Sequence, residues 1–215
     1  MSLRKYRHIL IILLTAAALS AIWYYWKTRS SPVIRPQTQA IVWYSEPRAL
    51  PDFLLQRSDG TPLTPDELKG HWTLVFIGFT FCPDICPTTL MELAQAQKRW
   101  EALPEPARPR LLFISADPER DSLDRLDIYT KAFHPDTWAA TADIPTLERF
   151  VQPLHLVFMK VPRKNFAQNP LDYAIDHSAN IAVLDPQGRL AGVIRPPLDA
   201  QAIADDLLRL TGETP

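Results

Sequence analysis

Cys82 and Cys86 stand in the stretch "TFCPDICPTT", separated by three residues, and are the only two cysteines of the 215-residue chain. Thiols held that close can form a structural disulfide, cycle as a redox couple or clamp a soft metal ion. A disulfide across so short a loop removes little chain entropy and stabilises weakly. Thiol–disulfide oxidoreductases usually carry Cys-x-x-Cys, one residue tighter. Two thiolates make a soft site suited to Cu(I), whereas structural zinc asks for four protein ligands. Pro87 orients the pair, because proline suits a first helical turn and breaks a helix already under way. A helix is therefore expected to begin at Pro87 with Cys86 at its N-cap, or at Pro83 with a distortion at Pro87. Both arrangements put the sulfurs near the positive end of a helix, which favours thiolate.

A metal clamp needs a third ligand, and there are five histidines. His8 lies in a basic tail. His71 and His134 read as surface residues, and His155 alternates with apolar residues as a strand histidine does. His177, in "DYAIDHSANIAVLDPQG", ends the long polar stretch 162–180 directly before an apolar run. Stretches of that length without an element of their own tend to be functional or disordered. Asp176 beside it is either a group that orients the imidazole or a solvated loop acid. Asp117 and Asp121, in "ADPERD", are site-edge candidates, with helix N-capping the simpler account of Asp121.

The elements that must position these residues alternate. "DFLLQRSDGTPLT" reads as two short strands about an Asp59-Gly60 turn, and Trp72–Phe79 as a buried strand running into the cysteine loop. Thr88–Trp100 has helical spacing, Arg110–Ala116 is a second apolar strand, Ser122–Phe133 and Thr146–Val151 are helices, and Leu154–Val161 is a strand. Ile181–Leu184 and Leu190–Ile194 form a hairpin, and Ala200–Leu210 closes the chain as a helix. This order predicts an α/β, thioredoxin-like fold: a central mixed sheet flanked by helices. Apolar residues make up 47% of the chain and charged residues 22%, enough for a core, and the net charge of −1 carries no electrostatic footprint for nucleic acid.

Residues 1–8 form a basic tail with Arg4, Lys5 and Arg7. Residues 9–26 are almost wholly apolar and end in Trp23-Tyr24-Tyr25-Trp26. As a helix they would span roughly 27 Å, close to the ~30 Å hydrocarbon core, with the aromatics at the interface. The expectation is one N-terminal transmembrane helix, with a cleaved signal peptide as the rival. Residues 27–50, with Pro32, Pro36 and Pro47, read as an extended linker, and residues 51–215 as the folded domain outside the membrane.

"GFTFCPDICPTTL", "ISADPERDS" and "DYAIDHSANIAVLDPQGRLAGVI" together resemble the Sco/SenC-type copper proteins, which assist assembly of cytochrome c oxidase. The resemblance covers nearly the whole chain. It implies a thioredoxin fold and a copper ion, as Cu(I) or Cu(II), held by Cys82, Cys86 and His177. It also implies a metallochaperone whose client is the binuclear copper centre of cytochrome c oxidase subunit II. A thiol reductant and a copper donor would act upstream, and the expected setting is a bacterial inner membrane with the domain in the periplasm. The alternative on the same residues is an oxidoreductase, with Cys82 and Cys86 as a redox-active pair that reduces the oxidase's copper-ligand cysteines.

Overall fold

The computed structural model describes residues 8–9, 13–21, 23 and 37–212. The chain divides into two compact units, Met1–Gln37 and Thr38–Pro215. In the first, residues 13–21 are helical, and Leu13, Leu14 and Leu19 are exposed. Among the described residues no helix is long and apolar enough to cross a membrane. Tail residues 1–7, much of the expected span 9–26 and linker residues 27–36 lie outside the described residues.

The second unit is built on an eight-stranded mixed sheet. In chain order its strands are β1 (Ile41–Ala49), β2 (Leu55–Arg57), β3 (Pro62–Leu63), β4 (Thr73–Gly78), β5 (Arg110–Ser115), β6 (Thr137–Thr141), β9 (Ile181–Leu184) and β10 (Arg189–Ile194). The spatial order is β1-β10-β9-β4-β5-β6-β2-β3. β4, β5 and β6 are parallel, while β9, β10 and β1 add an antiparallel side. A separate two-stranded sheet pairs β7 (Phe158–Pro162) with β8 (Tyr173–His177). The helices are α1 (Ile85–Trp100), α2 (Leu123–Lys131), α3 (Ile144–Val151) and α4 (Ala200–Gly212). α1 packs against α4, and α2 against β6.

β4 is central because every one of its residues is buried. Leu74, Val75, Phe76 and Ile77 are fully enclosed, each worth about 1.5–3 kcal/mol on burial. An apolar run of this kind needs cover on both faces of the sheet. It fixes the exit point of the chain, and the cysteine loop begins one residue beyond Gly78.

Four expectations are corrected, and one strand is added. Residues 41–49, assigned to the linker from their proline spacing, form β1 and pair with β10. Pro47 is tolerated because it falls within the register shift between Trp43 and Arg48 on an edge strand. The start of β1 is fastened to α4 by Asp206, a buried carboxylate that accepts from the backbone N–H groups of Gln39, Ala40 and Ile41 at 2.8–3.2 Å. β6, "TWAAT", was not foreseen, since its small side chains give a weak apolar signal, yet it is the third parallel strand.

The polar stretch 162–180 contains β8, in which Tyr173 and Ile175 are buried in strand alternation. His134 is buried rather than on the surface. Its Nε2 lies 3.0 Å from Glu101 Oε1, and its Nδ1 accepts from the Asp136 N–H. His155 is not a strand residue: it ends a 3-10 turn at φ 56° and is exposed.

Candidate metal centre

The cysteine loop links β4 to α1. Cys82 N–H donates to Phe79 O at 3.2 Å and closes a turn. α1 then starts at Ile85, with Asp84 rather than Cys86 at the N-cap, and Pro87 falls inside the first turn. The first amides of a helix lack intrahelical acceptors. Cys82 Sγ takes one of these roles, accepting from Cys86 N–H at 3.4 Å. The same bond that begins the helix therefore sets the separation of the two residues.

Cys86 faces inward and is fully buried, whereas Cys82 is half-buried, and both are free thiols. Position and burial oppose each other here. A helix N-terminus is worth about 0.3–1 kcal/mol to a thiolate, while burial can move a titration by several pH units at 1.36 kcal/mol each. Burial prevails and pushes the Cys86 thiol up, assisted by the neighbouring Cys82 and Asp121. The expected thiolate bias at Cys86 is thus overturned in the metal-free protein.

Gly78 leaves the room that this sulfur occupies. A Cβ there would stand 2.7 Å from Cys86 Sγ and 2.8 Å from the Phe113 ring. Both neighbours are buried, so neither yields easily. Gly78→Ala is expected to destabilise the fold by about 1–3 kcal/mol and to displace the sulfur. Chemical denaturation checks the first effect, and the rate of thiol alkylation checks the second. Wild-type values for both would mean that the loop moves aside freely.

His177 arrives from the other side. It is the last residue of β8 and pairs with Phe158 on β7. Its ring packs edge-on against Phe76 and Phe79, with centroids 5.9 and 6.0 Å away. Nδ1 lies 3.0 Å from the carbonyl oxygen of Ser178. A carbonyl can only accept, so Nδ1 carries the proton and Nε2 keeps its lone pair. That Nε2 lies 3.3 Å from Cys86 Sγ. Burial lowers the pKa of His177, partly offset by the Ser178 carbonyl and by Asp176, so the neutral, ligating form is favoured. Ser178 is itself held by Val157, through backbone and hydroxyl hydrogen bonds of 2.9 Å each.

Asp176 is exposed, and the orienting role considered for it belongs to the Ser178 carbonyl. Asp117 and Asp121 are both buried. Asp121 is not the cap of α2, since Ser122 is; it accepts instead from Thr80 N–H and Oγ1 and from Ser115 Oγ. Asp117 accepts from the Tyr173 hydroxyl and from Arg120. Composition around "ADPERD" marked these acids, but the partner Tyr173 lies 56 residues away and no local signal points to it.

The ligand atoms of Cys82, Cys86 and His177 all lie within 4.8 Å of one another. An ion about 2.0–2.3 Å from each donor needs donors roughly 3.5–4 Å apart, so a small adjustment suffices. Two sulfurs and one imidazole suit a soft or borderline ion, and no fourth His, Cys, Asp or Glu joins the group among the described residues. The residues fit a three-coordinate thiolate–imidazole centre.

A mixed sheet with a cysteine pair opening a helix, faced by a histidine from a hairpin, defines a thioredoxin-like metal-binding domain. The family model described as SCO1/SenC matches residues 44–212, and the chain belongs to that family. A Stutzerimonas stutzeri protein named for an inferred copper-binding role is 36% identical over 153 residues, 70% of this chain and 71% of that one. The mouse protein SCO2 homolog, mitochondrial, is 30% identical over 158 residues, and the match spans only 60% of its length. The crystal structure of Arabidopsis thaliana ScoI with copper bound superposes with a TM-score of 0.67 at 29% identity, covering 76% of this chain and 98% of that one.

Proposed function

We propose that this chain is a copper chaperone: Cys82, Cys86 and His177 bind the ion and pass it to the binuclear copper centre of cytochrome c oxidase subunit II. The observation that carries the reading is the 3.3 Å approach of His177 Nε2, lone pair free, to the buried Cys86 sulfur. A dithiol can exchange electrons without an imidazole so placed, whereas a two-sulfur metal site needs a third donor. The donor set holds Cu(I) with an open coordination position, through which a client thiolate can take over the ion. Phe81 and Ile85, both exposed beside the cysteines, suit contact with a client protein.

The reading includes a single-span anchor over residues 9–26 in a bacterial inner membrane, with the second unit in the periplasm. It is supported by the basic residues ahead of the apolar run and the aromatics that end it. In that oxidising compartment a reductant must keep the pair reduced before a copper donor loads it.

The test is metal analysis and absorption spectroscopy of the Thr38–Pro215 unit, reduced and oxidised. The reduced form is expected to hold about one copper per chain and, with Cu(II), to show a thiolate charge-transfer band. Oxidation by a disulfide reagent moves two electrons and two protons to the reagent and joins the two sulfurs, and the copper should be lost. Equal copper binding by the oxidised form would remove the thiols from the site. A fragment beginning at Pro51 would be unsuitable, because it lacks β1.

One observation favours the oxidoreductase alternative. Cys82 is half-buried and Cys86 fully buried, an asymmetry suited to an attacking and a resolving thiol. Turnover of a disulfide substrate at physiological pH by the copper-free protein would support it.

A further inference from the structure

The segment between β5 and α2 holds both halves of the metal centre. Toward the cysteines, Asp121 accepts from Thr80 N–H at 2.9 Å and from Thr80 Oγ1 at 2.5 Å, two residues before Cys82. Toward the histidine, Asp117 accepts from the Tyr173 hydroxyl through Oδ1 at 2.6 Å and from Arg120 Nε through Oδ2 at 2.5 Å. Arg120 Nη1 donates onward to the main-chain carbonyls of Tyr173 and Leu171, at 3.0 and 3.2 Å. Tyr173 opens β8, the strand that ends in His177.

The guanidinium also sits 3.7 Å from the centroid of the Tyr173 ring, 5.2 Å from that of Phe81 and 5.8 Å from that of Phe79. Phe81 immediately precedes Cys82, and Phe79 packs on the His177 ring. Arg120 is thus the side chain at which the β7–β8 hairpin, the cysteine loop and the segment after β5 meet. Its Nη2 is buried without a hydrogen-bond partner among the described residues.

We infer that Arg120 is a positioning residue for the metal centre, locking the hairpin that carries His177 to the segment that holds the cysteine loop. The inference rests on the metal-binding role proposed for Cys82, Cys86 and His177. A planar fork serves the carboxylate through Nε and the two carbonyls through Nη1 while stacking on the Tyr173 ring; the three donors of lysine all radiate from one nitrogen and lack that spacing and plane.

The test is amide hydrogen exchange on the full-length, metal-free protein, comparing wild type with Arg120→Ala and Arg120→Lys. Arg99→Ala, which removes an exposed ion pair with Asp205, is the control. Amides of Tyr173–His177 should exchange at least about tenfold faster in both Arg120 variants, with those of β4 and β5 within about twofold of wild type. Unchanged hairpin amides would overturn the inference, as would equal acceleration of hairpin and core, which marks an ordinary loss of stability. If neither Arg120 variant folds, Tyr173→Phe removes the hydroxyl that donates to Asp117 and to Glu119, leaves the ring under Arg120, and carries the same expectation with a smaller factor. In the Cu(II)-loaded protein, Arg120→Ala should shift the thiolate charge-transfer band, and an unshifted band counts against the inference. Should the wild-type chain take up no copper, the proposed function falls, while the metal-free exchange data still decide whether Arg120 locks the hairpin.

Discussion

Cys86→Ala is expected to lower copper retention by well over 100-fold, beyond the 10- to 100-fold typical of removing a group that only supports a ligand. The sulfur is fully buried and faces His177 Nε2, so no water or neighbouring side chain can take its place without reopening the core. Alanine is the suitable replacement, because a serine hydroxyl would be buried among apolar groups and add its own penalty. The fold itself should lose only about 1 kcal/mol, the scale of deleting one buried methyl-sized group.

The same variant carries a pH signature. Burial pushes the Cys86 thiol up, so the thiol is protonated in the metal-free protein, and Cu(I) must displace that proton on binding. Uptake therefore strengthens as pH rises, by about tenfold per pH unit from this one group. Competition titrations across the neutral range should show the slope falling by about one proton in Cys86→Ala. Wild-type retention and slope in the variant would mean that Cys86 is not a ligand.

His177→Ala is expected to have the second largest effect, with a different character. Cu(II) prefers nitrogen donors more strongly than Cu(I) does, so Cu(II) affinity should fall by about 100-fold or more and Cu(I) affinity by about tenfold. The remaining dithiol still suits Cu(I). The deleted ring leaves a void against Phe76 and Phe79, at a cost of roughly 1–3 kcal/mol. Free imidazole added to the variant should restore part of the Cu(II) spectrum, which a purely structural defect would not allow. An unchanged spectrum and stoichiometry without imidazole would exclude His177 from the centre.

Several expectations from the sequence met a competing force in the folded chain. The helix begins at Ile85, midway between the starts expected at Pro87 and Pro83, because Pro87 fits any position of a first turn and cannot by itself mark the beginning. The reading of Asp121 as a cap considered only its neighbours in the chain, whereas its donors Thr80 and Ser115 come from the segments leaving β4 and ending β5. β8 was hidden because its two buried residues, Tyr173 and Ile175, alternate within a polar stretch, and a two-stranded hairpin needs no stronger signal.

What the sequence determined alone is local: an apolar strand delivering one cysteine to the loop that follows it and the other to the start of a helix. That chemistry depends on residues within five positions, and backbone geometry over so short a range follows from side-chain type. What only the tertiary structure decided is how Cys86 comes to be buried and how an imidazole 91 residues further along the chain reaches it. It also decided that the Ser178 carbonyl, and not Asp176, sets the ring's tautomer. Those outcomes depend on sheet order and on packing across strands distant in the chain, where a shift of a single residue in register would turn the ring away from the sulfurs.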